Sequence, residues 1–138
     1  MIVRLNCNQL RYFRRKALHS NKEIYAILFG RVFTPTVLDI LRFGYPTMLV
    51  STPKECQPDG ASCQRLVDAA AADGLVELGT IHTHPMDEAA PWMSPTDLRS
   101  HRCMNHKISG ICTQSNGKTF VAFWEDHKPL PVEWEYLK

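Results

Sequence analysis

Residues 22–33, Lys-Glu-Ile-Tyr-Ala-Ile-Leu-Phe-Gly-Arg-Val-Phe, form an almost unbroken apolar run with a single acid, Glu23, at its entrance. A strand that is apolar on both faces has to be covered on both faces, so a run of this kind calls for an interior place in a sheet. Periodicity alone leaves a helical start open.

The chemistry gathers in residues 81–97, Ile-His-Thr-His-Pro-Met-Asp-Glu-Ala-Ala-Pro-Trp-Met-Ser-Pro-Thr-Asp. Side chains two apart share a face of an extended strand, so His82 and His84 can aim both imidazoles at one point. Pro85 lacks an amide hydrogen and is expected to end strand pairing there, releasing a loop that includes Pro91 and Trp92. Ser94-Pro95-Thr96-Asp97 then has helix-start chemistry: serine as N-cap, proline at the first position, an acid in the first turn. Two imidazoles and a carboxylate, with a fourth position left to water, are the donor set of a catalytic zinc. Taken singly, S-P-x-D is more often a plain helix start and H-x-H more often structural. Their order and closeness point to a metal.

In chain order, residues 2–5 read as a short strand, and Asn8 as the N-cap of a helix over 9–19 with Leu10, Phe13 and Ala17 on one face. Residues 37–43 and 47–51 read as strands, and 52–60 as a surface loop marked by Pro53, Pro58 and Gly60. The alanine-rich stretch 62–73 reads as a helix stopped by Gly74. A strand over 75–84 then carries the histidines, with Gly79 permitting close backbone approach. A helix follows the 94–97 cap to about residue 106. Strands over 108–112, 119–124 and 130–135 close the chain, the first two joined around Ser115-Asn116-Gly117. This mixed order predicts α/β layers around one central sheet within a single domain spanning 1–138.

With 44% apolar and 22% charged residues the chain reads as globular. A net charge of +2 and a short basic run at 11–16, broken by aromatics, give no case for nucleic acid. No apolar run reaches membrane-span length and the N-terminus has no secretory pattern, so no membrane association and a cytoplasmic location are expected. The cysteines, Cys7, Cys56, Cys63, Cys103 and Cys112, are odd in number and lack C-x-x-C spacing, which fits free thiols that fill the core.

The pattern Glu23 … His82-Thr83-His84-Pro85 … Ser94-x-x-Asp97, with Gly30 seven residues after the glutamate, resembles the signature of the JAMM (MPN+) zinc metalloprotease family. Nine residues, 85–93, separate the second histidine from the serine where the family usually has seven. The resemblance covers residues 9–125 and implies an α/β, JAMM/MPN-like (cytidine deaminase-like) domain with a mixed central β-sheet flanked by helices. It implies Zn2+ held by His82, His84 and Asp97, Glu23 as the general base, and Ser94 as a donor to the oxyanion. Asp87 and Glu88 are competing carboxylates. His101 and His106 are assigned nothing and are read as surface or outer-layer groups, while Trp92 either lines a groove or packs inward. The activity implied is that of a zinc-dependent isopeptidase or peptidase acting after the C-terminal glycine of a ubiquitin-like protein or its conjugates. In small stand-alone members of the family, E1- and E2-like enzymes can be partners. Two other readings stand beside it: a catalytically inactive MPN-type interaction scaffold, which usually lacks a ligand, and a metal-dependent nuclease, which no basic groove or extra carboxylate cluster at the site supports.

Overall fold

The computed structural model describes residues 1–53, 55–87 and 91–137, with 86–87 and 134–137 described by their backbone alone. In chain order these form β1 (Ile2–Asn6), α1 (Cys7–Leu18), β2 (Tyr25–Thr34), β3 (Val37–Gly44), β4 (Met48–Ser51), β5 (Cys56–Pro58), α2 (Gly60–Ala72), β6 (Val76–Asp87), α3 (Pro95–Cys103), β7 (Ile108–Ser115), β8 (Lys118–Glu125), β9 (Lys128–Leu130) and β10 (Val132–Leu137). Eight strands make one sheet in the order β10-β1-β3-β2-β6-β7-β8-β9, and β4 and β5 make a separate ribbon. Pairing in the large sheet is parallel at β10/β1, β1/β3 and β6/β7 and antiparallel elsewhere.

The curvature of this sheet overturns the expected α/β JAMM/MPN-like (cytidine deaminase-like) arrangement of a central sheet flanked by helices. Leu130 ends β9 at one edge and Val132 begins β10 at the other, with only Pro131 between them. Two residue steps span at most about 7 Å, so the two edges lie side by side and the sheet is nearly closed into a barrel. The Val3 N–H, donating to the Pro131 carbonyl at 3.0 Å, ties the seam. Helix α1 accordingly sits in the concavity rather than on a flat layer. Its Leu10, Phe13 and Ala17 share one buried cluster with Val3 and Leu5 from near one edge and Phe123 and Leu130 from the other. Helix α2 covers part of the outer face, where Ala70 packs with Ile27 and Phe29. Register shifts at Phe29/Gly30, Leu28/Phe29 and His84/Asp87 mark bulges, which sharpen twist and bend strands.

Several local expectations shift as well. Helix α1 starts earlier than expected because Asn6, not Asn8, is its N-cap, accepting from the Gln9 N–H at 3.1 Å. The expected loop over 52–60 contains β5, which pairs antiparallel with β4. The expected last strand is split by Pro131 into β9 and β10 on opposite edges. Strand β6 does not stop at Pro85: it resumes pairing at Asp87 opposite Gln114, with the proline inside the bulge and its carbonyl accepting from the Gln114 side chain. Gly79 does allow close approach, since a Cβ there would meet the Ile108 carbonyl oxygen at 1.7 Å. Among the described residues no helix is long and apolar enough to cross a membrane.

On the outer face, fully buried Asp39 of β3 accepts from Arg4 of β1 and, at 2.8 Å, from Arg31 of β2. Phe33 stacks beneath both guanidiniums, 4.1 Å from that of Arg4 and 5.4 Å from that of Arg31. Burial pushes the Asp39 carboxyl up, but the two guanidiniums outweigh it and hold the group below its ordinary range. Its stabilising contribution is therefore complete above the unfolded value of about 3.9 and is lost as pH falls through the lower folded value. Asp39→Asn should cost about 3–5 kcal/mol in denaturant unfolding at neutral pH, because it takes the countercharge from the buried Arg4. The variant should also lose less stability than the wild type when the pH is lowered from about 5 to about 2.

Candidate metal centre

Strands β2 and β6 run antiparallel with Tyr25 opposite His82. Thr83, between the two histidines, is turned inward: its Oγ1 accepts from the Ile24 N–H at 2.8 Å and its own N–H donates to the Ile24 carbonyl at 3.0 Å. This double bond fixes the residue before it, Glu23, against the histidine strand. From the other side the Glu23 N–H donates to the Thr52 carbonyl at 2.8 Å, and its carbonyl accepts from the Ser51 hydroxyl at 3.1 Å. One Glu23 carboxylate oxygen and one ring nitrogen from each of His82 and His84 consequently lie within 4.8 Å of one another.

Asp97 comes closer still. Its Oδ1 is 3.1 Å from His82 Nε2 and its Oδ2 is 3.4 Å from His84 Nε2, while the two Nε2 atoms are 3.1 Å apart. A tetrahedral zinc with bonds of about 2.0–2.1 Å sets its donor atoms about 3.3 Å apart, close to the separation of the two Nε2 atoms and to that of each from its nearer, and different, Asp97 oxygen. The carboxylate is aimed by the helix start. Ser94 Oγ accepts from the Asp97 N–H at 3.1 Å and the Ser94 N–H donates to Asp97 Oδ2 at 2.9 Å, a reciprocal capping box with Pro95 behind it. Both carboxylates are thus within reach of the two imidazoles, Asp97 by the shorter distances.

Electrostatics separate the two acids. Burial pushes Asp97 up, but hydrogen bonds from His82 and His84, with the Ser94 N–H, hold it far below the usual carboxylate range, so it stays ionised. For Glu23 burial prevails over the lowering influences of His82, the Cys56 thiol and His84, and its carboxyl is raised. That suits a group meant to take up and release a proton. Burial and the Glu23 charge push the Cys56 thiol up to about 12, so it remains protonated and donates to the carboxylate.

These side chains open into a cavity of about 530 Å³. Glu23, His82, His84, Ser94 and Asp97 all line it, so all five residues expected from the sequence are brought together. Ser94 spends its oxygen on the cap and keeps its proton to donate. His101 and His106 are not surface groups. His101 is buried, its Nε2 accepting from the Asp126 N–H and its Nδ1 bonded to Ser109 Oγ at 2.7 Å, which braces α3 against β7. The His106 side chain is 8% exposed and lies 3.9 Å from Glu77. Trp92 does not pack inward: it is 60% exposed. Glu88 lies outside the described residues, as does the side chain of Asp87.

Pro53, Glu55 and Cys56, in the stretch the sequence reads as a surface loop, form one wall of the cavity. Its signal was the pair of short extended segments around Thr52–Glu55, a hairpin pattern masked by Pro53 and Pro58; the Thr52 N–H donates to the Glu55 carbonyl at 2.8 Å. Thr83 has no role that the sequence motif reveals, yet its hydroxyl couples the two strands.

Comparison with protein-family models finds no match, and no curated protein matches the chain. Among solved structures, the solution structure of a protein from Desulfitobacterium hafniense is similar with a TM-score of 0.72 and 21% identity, covering 100% of this chain and 96% of that one. A protein from Salinibacter ruber is similar with a TM-score of 0.64 and 14% identity, covering 98% of this chain and 94% of that one. At such identities the likeness is one of fold alone.

Zinc titrated into metal-stripped protein should bind at one ion per chain and, at a hundred times its Kd, raise unfolding stability by about 2.7 kcal/mol. His82→Ala and Asp97→Ala should abolish that shift and Glu23→Gln should keep it. Unchanged uptake in Asp97→Ala would remove the carboxylate from the ligand set.

Proposed function

We propose that the chain is a zinc-dependent peptidase that hydrolyses the amide bond after the C-terminal glycine of a ubiquitin-like protein, as an isopeptidase on conjugates or as a precursor-processing enzyme. The observation that carries this reading is a raised, half-buried glutamate within reach of His82 and His84, whose Nε2 atoms each lie 3.1–3.4 Å from an Asp97 carboxylate oxygen. The site's residue pattern, which resembles that of the JAMM metalloproteases, supports the substrate class; the fold is not part of that support.

When bound, zinc supplies a Lewis acid and lowers the pKa of a water to about 7. His82, His84 and Asp97 hold the ion, and the Ser94 backbone keeps the carboxylate aimed. Glu23 accepts the proton of the attacking water and hands it to the nitrogen that departs as the C–N bond breaks. Cys56 and the Thr83–Ile24 clamp hold that carboxylate in place. The Ser94 hydroxyl donates to the carbonyl oxygen as it gains charge. Among the described residues β4 and β5 pair only with each other, so the ribbon offers an edge beside the cavity on which an extended tail can add as a strand. A narrow Gly-Gly-like tail fits that approach. A cytoplasmic setting goes with this reading, as do E1- and E2-like partners, and all five cysteines are free thiols.

Incubation with a panel of ubiquitin-like fusions should give cleavage after the terminal glycine, stopped by 1,10-phenanthroline. Glu23→Gln should lower turnover by about 10²–10⁴-fold with zinc retained, and Ser94→Ala by about 10²–10³-fold. Cleavage of unrelated peptides with equal efficiency would refute the substrate class. Activity that survives complete metal removal would refute the mechanism. A zinc-loaded protein that cleaves nothing would instead be a scaffold.

A further inference from the structure

A second cavity, of about 750 Å³, lies between α1 and the start of β8. Helix α1 presents Arg11, Arg14, Arg15 and Leu18 to it at i, i+3, i+4 and i+7, one face of a helix, flanking the buried Leu10-Phe13-Ala17 face. Lys118 and Phe120 form the other bank. Arg14 bridges the floor, its Nε donating to Thr119 Oγ1 at 2.6 Å and a terminal nitrogen to the Thr119 carbonyl at 2.9 Å. These contacts leave its charge unneutralised, and among the described residues no acid pairs with Arg11, Arg14, Arg15 or Lys118. Four cations thus face one groove in a chain whose net charge is only +2. Two large apolar side chains stand over them: Leu18 is 44% and Phe120 55% exposed.

The groove shares a rim of the barrel with the metal centre. Thr119 pairs with Gln114, and Gln114 pairs with Asp87 at the end of the histidine strand. That is two strand spacings, about 10 Å. On the helix side, Leu18 is followed within five residues by Glu23.

We propose that this groove docks an acidic segment, carrying apolar side chains, of the protein whose tail enters the metal site. The inference rests on the peptidase reading for the identity of the partner, and on charge complementarity for the docking itself. Concentrated positive potential draws an acidic partner and orients it before its tail is engaged. Leu18, which unlike Phe120 has no ring on which a base can stack, favours a protein segment with apolar side chains over a nucleic acid.

The test is fluorescence anisotropy on the full chain, in EDTA, with a fluorescein-labelled peptide of glutamates interrupted by two leucines. Binding should weaken as salt rises, and the triple variant Arg11→Glu/Arg15→Glu/Lys118→Glu should lose about tenfold or more in affinity. Its melting temperature and zinc uptake should match the wild type, since all three side chains are exposed. Phe120→Ser should weaken the same peptide at unchanged salt dependence, which a purely ionic patch would not do. Equal affinity of the triple variant, or tighter binding of a single-stranded RNA of the same charge, overturns the proposal. Because no turnover is read, a chain that binds the peptide yet cleaves nothing keeps the docking surface and loses the peptidase reading. A chain that cleaves fusions but ignores the charge reversal loses only the docking surface.

Discussion

The pairing of β2 with β6, clasped by Thr83 and Ile24, is the contact on which the site depends. It joins residues 59 apart in sequence through a buried hydroxyl and a backbone bond. A buried donor left without its acceptor is expensive, so register at this point is strongly specified. Slippage by one residue would turn both imidazoles into the core. The clasp therefore sets three things together: which face His82 and His84 occupy, how near Glu23 stands to them, and where the β4–β5 ribbon closes over the acid.

The Asp97 carboxylate arrives by a local device. Ser94 and Asp97 satisfy each other's backbone at the start of α3, and the same hydrogen bonds that begin the helix point a carboxylate at the two histidines. His101, one turn further on, is braced by Ser109 and Asp126 and keeps the helix seated on the sheet. Capping the helix and aiming the Asp97 carboxylate are one interaction here, which preorganises that carboxylate against His82 and His84. The curled sheet also brings the end of the histidine strand near the start of β8, which lines the cationic groove beside α1.

Much of the site was legible along the chain because its parts are short-range. H-T-H places two side chains on one face by strand geometry, and S-P-T-D caps a helix by hydrogen bonds spanning three residues. Most elements were legible too, since alternation and helical periodicity report burial directly. The failures were long-range or two-sided. Pro85 was expected to end β6, but a bulge lets pairing resume at Asp87 with the proline's missing N–H facing no partner. The ribbon strand β5 carries two prolines within or near it and no hydrophobic signature, so Cys56 was invisible as a neighbour of Glu23.

By itself the sequence determined the donor atoms and their local aim: two imidazoles on one strand face, a carboxylate locked by its own helix cap, and an acid leading an interior strand. Only the tertiary structure decided that the sheet curls until its edges meet at Pro131, and that α1 sits inside the curl. It alone decided, too, that Arg4 and Arg31 converge on a buried Asp39. Hydrophobic periodicity says which side chains leave water but is blind to the sum of small twists and bulges across eight strands, and that sum is what separates a nearly closed barrel from a flat layered sheet.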